Sequence, residues 1–204
     1  MTDNEIIRLK APQIPAASEV LAKAFENDPV FSYIFPKEDE TRIGKIKQLF
    51  LVSLRYSQLF DSIYTTDALK GVAIWIPPGK YPMGFWQTFQ LALTMPFKLG
   101  WGGMGRGIGL FNKIEECHQE CMSEPHWYLN VLGVDPAYQG QGVGGKLIEP
   151  ILKQADGENL LCYLETDSEK NVSFYQKRGF QVVKSFDLPG SNLRLWGMRR
   201  ELQG

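Results

Sequence analysis

The spacing of apolar residues predicts alternating helices and strands in the first part of the chain. Apolar side chains recur at intervals of three and four, which is typical of amphipathic helices, in several long segments. Short apolar runs bounded by turn residues predict strands between them. The predicted helices are residues 12–25, 38–58, 83–95 and 111–121, and the predicted strands are residues 6–9, 59–65 and 71–76. Residues 29–35 are predicted to form a short aromatic turn or helix. A glycine-rich stretch at 100–109 is expected to separate the last two helices.

The second part of the chain continues this alternation. Pro150 lies inside a predicted helix, where the missing N–H predicts a kink, and Gly179 is placed to end the next one. Pro189 and Gly190 predict the turn of a closing hairpin. The predicted strands are residues 127–134, 160–165, 180–186 and 192–199, and the predicted helices are residues 142–154 and 169–178. The whole pattern predicts a single α/β domain.

Composition narrows the classes of function. The chain has 204 residues, of which 44% are hydrophobic, and a formal net charge of −1. This charge argues against a nucleic-acid or anionic-membrane partner, because no large basic field is available. Residues 81–97 form an uncharged stretch of 17 residues with two Pro and two Gln, which favours a buried or lid helix over a membrane span. Three cysteines and the lack of a signal-peptide pattern predict a reducing, cytoplasmic location.

The stretch YQGQGVGGKL, residues 138–147, fits three phosphate-binding templates. All three rely on glycine backbone N–H groups and on the positive end of the following helix. The P-loop template fails because Leu147 follows Lys146 where a magnesium-binding Ser or Thr is required. The dinucleotide template is weakened because five residues separate the strand from Gly140, and only 39 residues follow Glu165. The third template is the loop that binds the pyrophosphate of acyl-CoA in acyltransferases, and nothing in the sequence counts against it.

Two segments carry a resemblance to a known family. VLGVDPAYQGQGVGGKL (131–147) followed by NVSFYQKRGF (171–180) resembles the GNAT superfamily of N-acetyltransferases. LET (164–166) and AFENDP (24–29) are similar to its puromycin-N-acetyltransferase-like branch. The resemblance implies a single GNAT-like domain over 1–204 with a mixed, mostly antiparallel sheet whose central strands splay apart. Residues 1–122 would form the acceptor-side half and residues 123–204 the acyl-CoA-binding half.

The resemblance also implies the cofactor and its binding residues. Acetyl-CoA would be the acyl donor, and no metal is expected, although Cys117, His118 and Cys121 lie close together in the sequence. Tyr175 would bind the cofactor and give its proton to the leaving thiolate. A backbone N–H near Val131 or Leu132 would polarise the thioester carbonyl. The residues expected to contact the cofactor are Leu132, Gly133, Val134, Gln139, Gly140, Gln141, Gly142, Val143, Gly144, Gly145, Lys146, Asn171 and Tyr175.

The sequence indicates the residues that would bind the acceptor amine less clearly than those that would bind the cofactor. Glu165 ends its strand near the expected splay and is the candidate to take the amine proton or to orient the amine. His126 is the alternative base, because the ordinary pKa of a histidine is suited to that role, and Asn130 would hold a water. The expected acceptor-binding residues are Phe25, Asp28, Phe31, Tyr33 and Asn130. Clustered aromatics there would suit an amphipathic or aromatic amine, although they would serve equally well as core.

Two classes of function stay open at this point. The first is an acetyl-CoA-dependent N-acetyltransferase that transfers an acetyl group directly to a primary amine of a small molecule. The second is a non-catalytic domain of the same fold that binds or senses acyl-CoA. Tyr175 favours the enzyme, because a sensor has no need for a proton donor beside the thiol. The sequence does not decide whether the chain forms a homodimer.

Overall fold

The computed structural model describes residues 5–36, 39–81, 101–188 and 191–201, with residues 101–104 in backbone only. The helix predicted at 83–95 and the turn predicted at Pro189 and Gly190 therefore lie outside the described residues. The remaining predicted elements fall within them, except for residue 38, the first residue of the helix predicted at 38–58.

Seven strands form one mixed sheet in the order β1-β2-β3-β4-β5-β7-β6. Neighbouring strands run antiparallel except β4 and β5, which are parallel. This confirms the predicted mixed and mostly antiparallel sheet. The strands are β1 Ile6–Arg8, β2 Ile63–Thr66, β3 Gly71–Ile76, β4 His126–Val134, β5 Leu161–Thr166, β6 Phe180–Asp187 and β7 Arg194–Arg200.

Helices flank both faces of the sheet. Short 3₁₀ turns at Ala11–Gln13, Gln58–Phe60 and Pro136–Tyr138 precede or follow longer elements. The described α-helices are α1 Ile14–Ala24, α2 Pro29–Ile34, α3 Arg42–Ser57, α4 Trp101–Cys121, α5 Val143–Glu158 and α6 Glu169–Gln176. Helix α5 runs without interruption through Pro150, because its buried face is anchored by apolar side chains on both sides of the proline, including Leu147 and Ile151.

The glycine-rich stretch at 100–109 was expected to separate two helices, and this expectation is wrong. Residues from Trp101 onward form the first half of α4. A glycine in a helix costs up to about 1 kcal/mol relative to alanine, so local preference alone does not predict this helix. Tertiary contacts offset the cost: the Arg106 guanidinium donates two hydrogen bonds to the carbonyl of Ile34, at 2.7 and 3.1 Å, and Leu110 is buried in the core.

Strand β3 shows how the core divides into two layers. All six of its residues are buried, and successive side chains point to opposite faces. Val72 and Ile74 pack in the layer that contains α1 and α3. Ala73 and Trp75 pack in the layer that contains α5. The sheet is therefore covered on both faces, which explains why this strand is a continuous apolar run.

The central strands β4 and β5 splay apart after three residue pairs. They are paired only from His126 opposite Leu161 to Tyr128 opposite Tyr163. Beyond that point β4 continues beside β3, and β5 continues beside β7. The register between β3 and β4 also shifts, so that Asn130 has no partner residue in β3. The splay leaves a wedge between the two strands and exposes backbone groups along β4.

Candidate active site

The loop from Asp135 to Gly142 is shaped by short-range hydrogen bonds and by two glycines. The Asp135 carboxylate accepts from the Ala137 N–H at 3.0 Å, and the Gln139 side-chain amide donates to the Val134 carbonyl at 3.1 Å. Gly140 and Gly142 have φ angles of +75° and +79°, a region that side chains with a Cβ rarely adopt. The glycines therefore set the path of the loop into α5.

Helix α5 begins with unpaired N–H groups. Gly142 precedes its first turn and offers no side-chain cap. The first hydrogen bond of the helix runs from the Lys146 N–H to the Gly142 carbonyl, at 3.2 Å. The N–H groups of the turn before Lys146 point out of the helix end, where the helix dipole also favours negative charge. This is the geometry that binds phosphate groups.

A cavity of about 680 Å³ lies between this loop, β4 and α6, and we call it the donor cavity. Nine of the thirteen residues predicted to bind the cofactor line it, namely Leu132, Val134, Gln139, Gly140, Gly142, Val143, Gly144, Asn171 and Tyr175. Gly133, Gln141, Gly145 and Lys146 are not in its lining. A virtual Cβ on Gly133 would meet Leu21 and Phe25 on the opposite face of the sheet, and the Lys146 side chain is exposed.

Three basic residues of the donor cavity were not anticipated. Lys170, Lys177 and Arg178 line it. The Arg178 guanidinium lies 3.7 Å from the centre of the Phe174 ring and donates to the Phe174 carbonyl at 2.7 Å. It also occupies the space that a side chain on Gly145 would need. Basic residues on both sides of SFYQ in the sequence were the available signal, but only the fold shows that they face the glycine loop.

Tyr175 lines the donor cavity with a side chain that is otherwise buried, at 7% exposure. Burial raises the pKa of its phenol, while the nearby Arg178 acts in the opposite direction. A raised pKa keeps the hydroxyl protonated at neutral pH. Its ring packs edge-on against Phe180 at 5.8 Å between ring centres, which fixes the direction of the side chain.

A second cavity, of about 360 Å³, lies on the other side of β4, and we call it the acceptor cavity. Three aromatic rings, Phe25, Phe31 and Phe50, pack together in its wall with ring centres 5.2 to 5.4 Å apart. The described residues that line it are Phe25, Phe31, Leu49, Phe50, Val52, Ser53, Tyr56, Ile76, Lys80, Tyr81, Phe111, Ile114, Tyr128, Asn130 and Val131. The lining is therefore largely apolar, with a few polar groups.

The structure brings three of the five predicted acceptor residues into this cavity: Phe25, Phe31 and Asn130. Asp28 instead caps α2, where its carboxylate accepts from the Phe31 N–H at 3.1 Å. Burial raises the pKa of Asp28 to about 7, and the neighbouring carboxylate of Asp167 adds to the shift. Tyr33 is half-buried and packs against the core cluster that contains α1 and α3.

Glu165 lies behind the acceptor cavity rather than in its lining. Its side chain is 5% exposed, and this burial raises its pKa to about 8, although hydrogen bonding to Tyr128 and Tyr163 acts against the shift. Tyr128 lines the acceptor cavity and therefore stands between the cavity and the carboxyl. A pKa close to the operating pH is suited to a general base.

Two histidines connect Glu165 to the edge of the protein. His118 Nδ1 lies 3.6 Å from Glu165 Oε1, and His118 Nε2 lies 2.7 Å from His126 Nε2. His126 Nδ1 lies 2.7 Å from the Glu124 carbonyl. Burial lowers the pKa of His118 to about 3 and also lowers the pKa of His126. Both rings are therefore neutral at physiological pH. His126, the alternative base, contacts His118 and does not line the acceptor cavity.

The two cavities lie back to back across β4. Val131 lines the acceptor cavity, and the next residue, Leu132, lines the donor cavity. Adjacent residues of a strand point to opposite faces, so the β4 backbone is within reach of ligands in both cavities at the splay.

The described residues include neither a set of metal ligands nor a helix that could span a membrane. Within residues 5–36, 39–81, 101–188 and 191–201 there is no cluster of three or more His, Cys, Asp or Glu side chains that would hold a metal ion. Cys117 and Cys121 share one face of α4, with their sulfurs 3.9 Å apart. None of the described helices has the length and apolar character needed to cross a membrane.

The chain resembles known proteins both in sequence and in structure. Residues 103–180 match the model of the Acetyltransferase (GNAT) family. An uncharacterised N-acetyltransferase of Schizosaccharomyces pombe is 27% identical over 194 residues, which is 92% of this chain and 78% of that protein. The GNAT family uses acetyl-CoA.

Two solved structures share the fold along nearly the whole chain. The Corynebacterium glutamicum histone acetyltransferase HPA2 and related acetyltransferase superposes with a TM-score of 0.70 at 20% identity, covering 98% of this chain and 96% of that one. The Drosophila melanogaster polyamine N-acetyltransferase, which forms N-acetylagmatine, superposes with a TM-score of 0.67 at 15% identity, covering 97% and 99%. The family model thus matches residues 103–180 of this chain, and the relative and the two solved structures resemble it along most of its length.

Proposed function

We propose that the protein is an acetyl-CoA-dependent N-acetyltransferase that transfers an acetyl group directly to a primary amine of a small molecule in a ternary complex. The observation that carries this proposal is the position of the two cavities on either side of β4 at its splay from β5. A thioester held in one cavity and an amine held in the other would meet at the same stretch of backbone. Bringing two reactants together in this way removes most of the entropic cost of their encounter.

The donor cavity would hold the cofactor. The free N–H groups at the start of α5 would bind the pyrophosphate, and the cations of Lys170, Lys177 and Arg178 would offset its charge. The pantetheine arm would bond to the β4 backbone that the splay leaves unpaired. A backbone N–H at Val131 or Leu132 would then donate to the thioester oxygen as negative charge develops on it.

Three residues would move the protons, Tyr128 and Glu165 on the acceptor side of the reacting centre and Tyr175 on the donor side. The amine arrives as an ammonium, and its proton would pass to the Tyr128 hydroxyl while that hydroxyl gives its own proton to the Glu165 carboxylate. The neutral amine then attacks the carbonyl carbon, the C–N bond forms and the C–S bond breaks. Tyr175 would donate its proton to the departing thiolate, because Tyr175 lines the donor cavity and burial keeps its hydroxyl protonated.

The acceptor cavity favours an amine carried on an apolar or aromatic body. Lys80 is the one charged residue in the described lining. Residues 82–100, which lie outside the described residues, contain no Asp or Glu in their sequence. A polyamine needs a carboxylate partner for each further ammonium that leaves water, and no such partner lines the cavity within the described part of the chain. We therefore expect a monoamine, in contrast to the polyamine named for the Drosophila enzyme of the same fold.

Thiol release from acetyl-CoA tests this proposal. The purified protein is assayed with two matched sets of primary amines, one of arylalkylamines and one of polyamines and agmatine, and the acetylated product is identified by mass spectrometry. We expect kcat/KM to be at least about tenfold higher for the arylalkylamines, which corresponds to the free energy of burying a few methylene groups. A preference for polyamines would contradict the proposed acceptor class.

A non-catalytic acyl-CoA-binding domain is the alternative. It predicts a thermal shift with acetyl-CoA but no thiol release with any amine of either set. A thermal shift with NAD and none with CoA would contradict both functions.

The proposal extends to the division of the chain. Residues 1–122 supply most of the acceptor cavity, and residues 123–204 supply the donor cavity. LET at 164–166 is similar to the puromycin-N-acetyltransferase-like branch.

A further inference from the structure

Two buried polar atoms of His118 and Glu165 face each other, and neither has a hydrogen-bond partner among the described residues. His118 Nδ1 and Glu165 Oε1 are 3.6 Å apart. Both side chains are almost completely buried, at 2% and 5% exposure. Leaving two such atoms unsatisfied costs about 1–3 kcal/mol each, so the pair requires an explanation.

The tautomers of the two histidines follow from their partners. The Glu124 carbonyl oxygen can only accept a hydrogen bond, so His126 Nδ1 carries the proton that it donates there, over 2.7 Å. A neutral ring has one N–H, and His126 Nε2 is therefore an acceptor. His118 Nε2, 2.7 Å away, must donate to it. This leaves His118 Nδ1 without a proton, and it is this bare nitrogen that faces Glu165.

The unprotonated His118 Nδ1 interacts differently with the ionised and the protonated form of the Glu165 carboxyl. An ionised Glu165 can only accept hydrogen bonds, so the nitrogen lone pair and the carboxylate oxygen would repel each other. A protonated Glu165 donates its O–H to His118 Nδ1 and satisfies both atoms at once. The tautomer chain that begins at the Glu124 carbonyl therefore favours the protonated form of Glu165.

The other groups around this cluster do not reverse that preference. Glu165 is near the carboxylate of Glu115, which also disfavours a second negative charge. The hydroxyls of Tyr81, Tyr128 and Tyr163 and the thiol of Cys117 also interact with it. Tyr81 stacks on His118 with 4.1 Å between ring centres. The hydroxyls of Tyr128 and Tyr163 favour the ionised form, but these neighbours bring no positive charge.

We propose that His118 and His126 are positioning residues that strengthen Glu165 as the proton acceptor of the transfer reaction, by holding an unprotonated nitrogen against its carboxyl. This inference rests on the proposed function only for its role in the reaction. When the amine gives up its proton, its N–H bond breaks and an O–H bond forms on Tyr128, while the former O–H bond of Tyr128 breaks and its proton passes to the Glu165 carboxylate. Glu165 ends in its protonated form, which is the form that the unprotonated nitrogen of His118 favours. The positive charge of the ammonium and the negative charge of the carboxylate both disappear, so no charge is left in the buried site.

The tautomers are read directly on the free protein. Long-range ¹H–¹⁵N NMR of protein labelled at histidine distinguishes the two tautomers, and the chain has only these two histidines. We expect His118 to carry its proton on Nε2 and His126 to carry its proton on Nδ1 between pH 6 and 8. A proton on His118 Nδ1 in this range would overturn the proposal.

A substitution tests the same idea by the sign of its effect. His126→Phe removes the acceptor for His118 Nε2–H, so His118 is free to move its proton to Nδ1 and donate it to the carboxylate. The pH midpoint of the Glu165 titration, followed by ¹³C NMR of its carboxyl carbon and assigned with Glu165→Gln, should then fall by about one unit or more. A histidine that acted through positive charge would give the opposite sign, because its loss raises the pKa of a nearby carboxyl.

Cys121→Ala is the control, since it removes a side chain one turn along α4 and leaves both imidazoles in place. We expect it to keep the wild-type midpoint. An unchanged or raised midpoint in His126→Phe would overturn the proposal. Both measurements use protein without substrate, so a failure of wild-type protein to release thiol would contradict the proposed function and leave these results standing. In active enzyme, the pH midpoint of kcat should fall with the titration, while the KM for acetyl-CoA stays within about twofold.

Discussion

Replacing Glu165 with glutamine should stabilise the protein at alkaline pH and change its stability little near pH 4. Burial raises the pKa of the Glu165 carboxyl in the folded protein to about 8, from an ordinary value of 4.5. The folded state therefore binds a proton that the unfolded state releases between these two values. Stability from this group is complete below about pH 4.5 and is lost as the pH rises toward 8. Glutamine has no proton to lose, and its amide can donate to His118 Nδ1.

The size of the gain in stability follows from the difference between the folded and unfolded pKa values of Glu165. One pKa unit corresponds to 1.36 kcal/mol, so a displacement of about 3.5 units corresponds to roughly 4–5 kcal/mol once the carboxyl is fully ionised. The Glu165 side chain is only 5% exposed, so solvent screens little of this free-energy cost of ionisation. The free energy of unfolding of such domains is about 5–15 kcal/mol. The cost of ionising Glu165 is therefore a large fraction of the stability of the protein.

Urea unfolding at pH 5, 7 and 9 measures this difference. Other titrating groups affect wild type and variant alike, so the variant-minus-wild-type difference isolates Glu165. We expect the difference to grow in favour of the variant by about 1.4 kcal/mol per pH unit between pH 5 and 8 and to level off above that range. Acetyl transfer by the variant should be slower by about 10²–10⁴, which is typical for loss of a general base.

The reasoning would be refuted if the stability difference stayed constant within about 1 kcal/mol from pH 5 to pH 9. Such a result would mean that Glu165 is already ionised in the folded protein at pH 5. The neighbouring His118 would then have to carry its proton on Nδ1, and the tautomers inferred from the Glu124 carbonyl would be wrong as well.

Three further substitutions probe the two cavities. Tyr175→Phe should lower kcat by about 10² or more while the Kd for acetyl-CoA, measured by calorimetry, changes less than about threefold; equal loss of both would make Tyr175 structural. Gly142→Ala forces a side chain into φ +79° and should cost about 1 kcal/mol and weaken acetyl-CoA binding about tenfold, whereas Gly157→Ala in the same helix, with open space around it, should not weaken binding. Gly133→Ala places a Cβ 2.6 Å from Leu21 and 3.0 Å from the Phe25 ring, so both side chains must shift. Because Phe25 lines the acceptor cavity, KM for the amine should rise and KM for acetyl-CoA should not; an equal rise for acetyl-CoA would contradict the separation of the cavities.

Local patterns in the sequence were sufficient for most elements and for the glycine loop before α5. Helices such as α1 and α3 and the hairpin of β2 and β3 follow from apolar spacing, because amphipathic periodicity depends only on neighbouring residues. The glycines at 140 and 142 are constrained by their own backbone angles. The splay of β4 and β5 was expected only through the family resemblance, since the pairing of two strands that are distant in sequence leaves no local mark.

The tertiary structure decided which distant side chains share a site. The acceptor cavity combines Phe25, Phe50 and Tyr128 from separate elements, and it leaves out Asp28, which is close in sequence to Phe25 but caps α2. The glycine-rich start of α4 is helical because contacts with α2 and the core outweigh its local preference. Glu165 was predicted from its place at the end of its strand near the splay, but its raised pKa was not, because that pKa depends on burial by side chains that meet only in the folded chain.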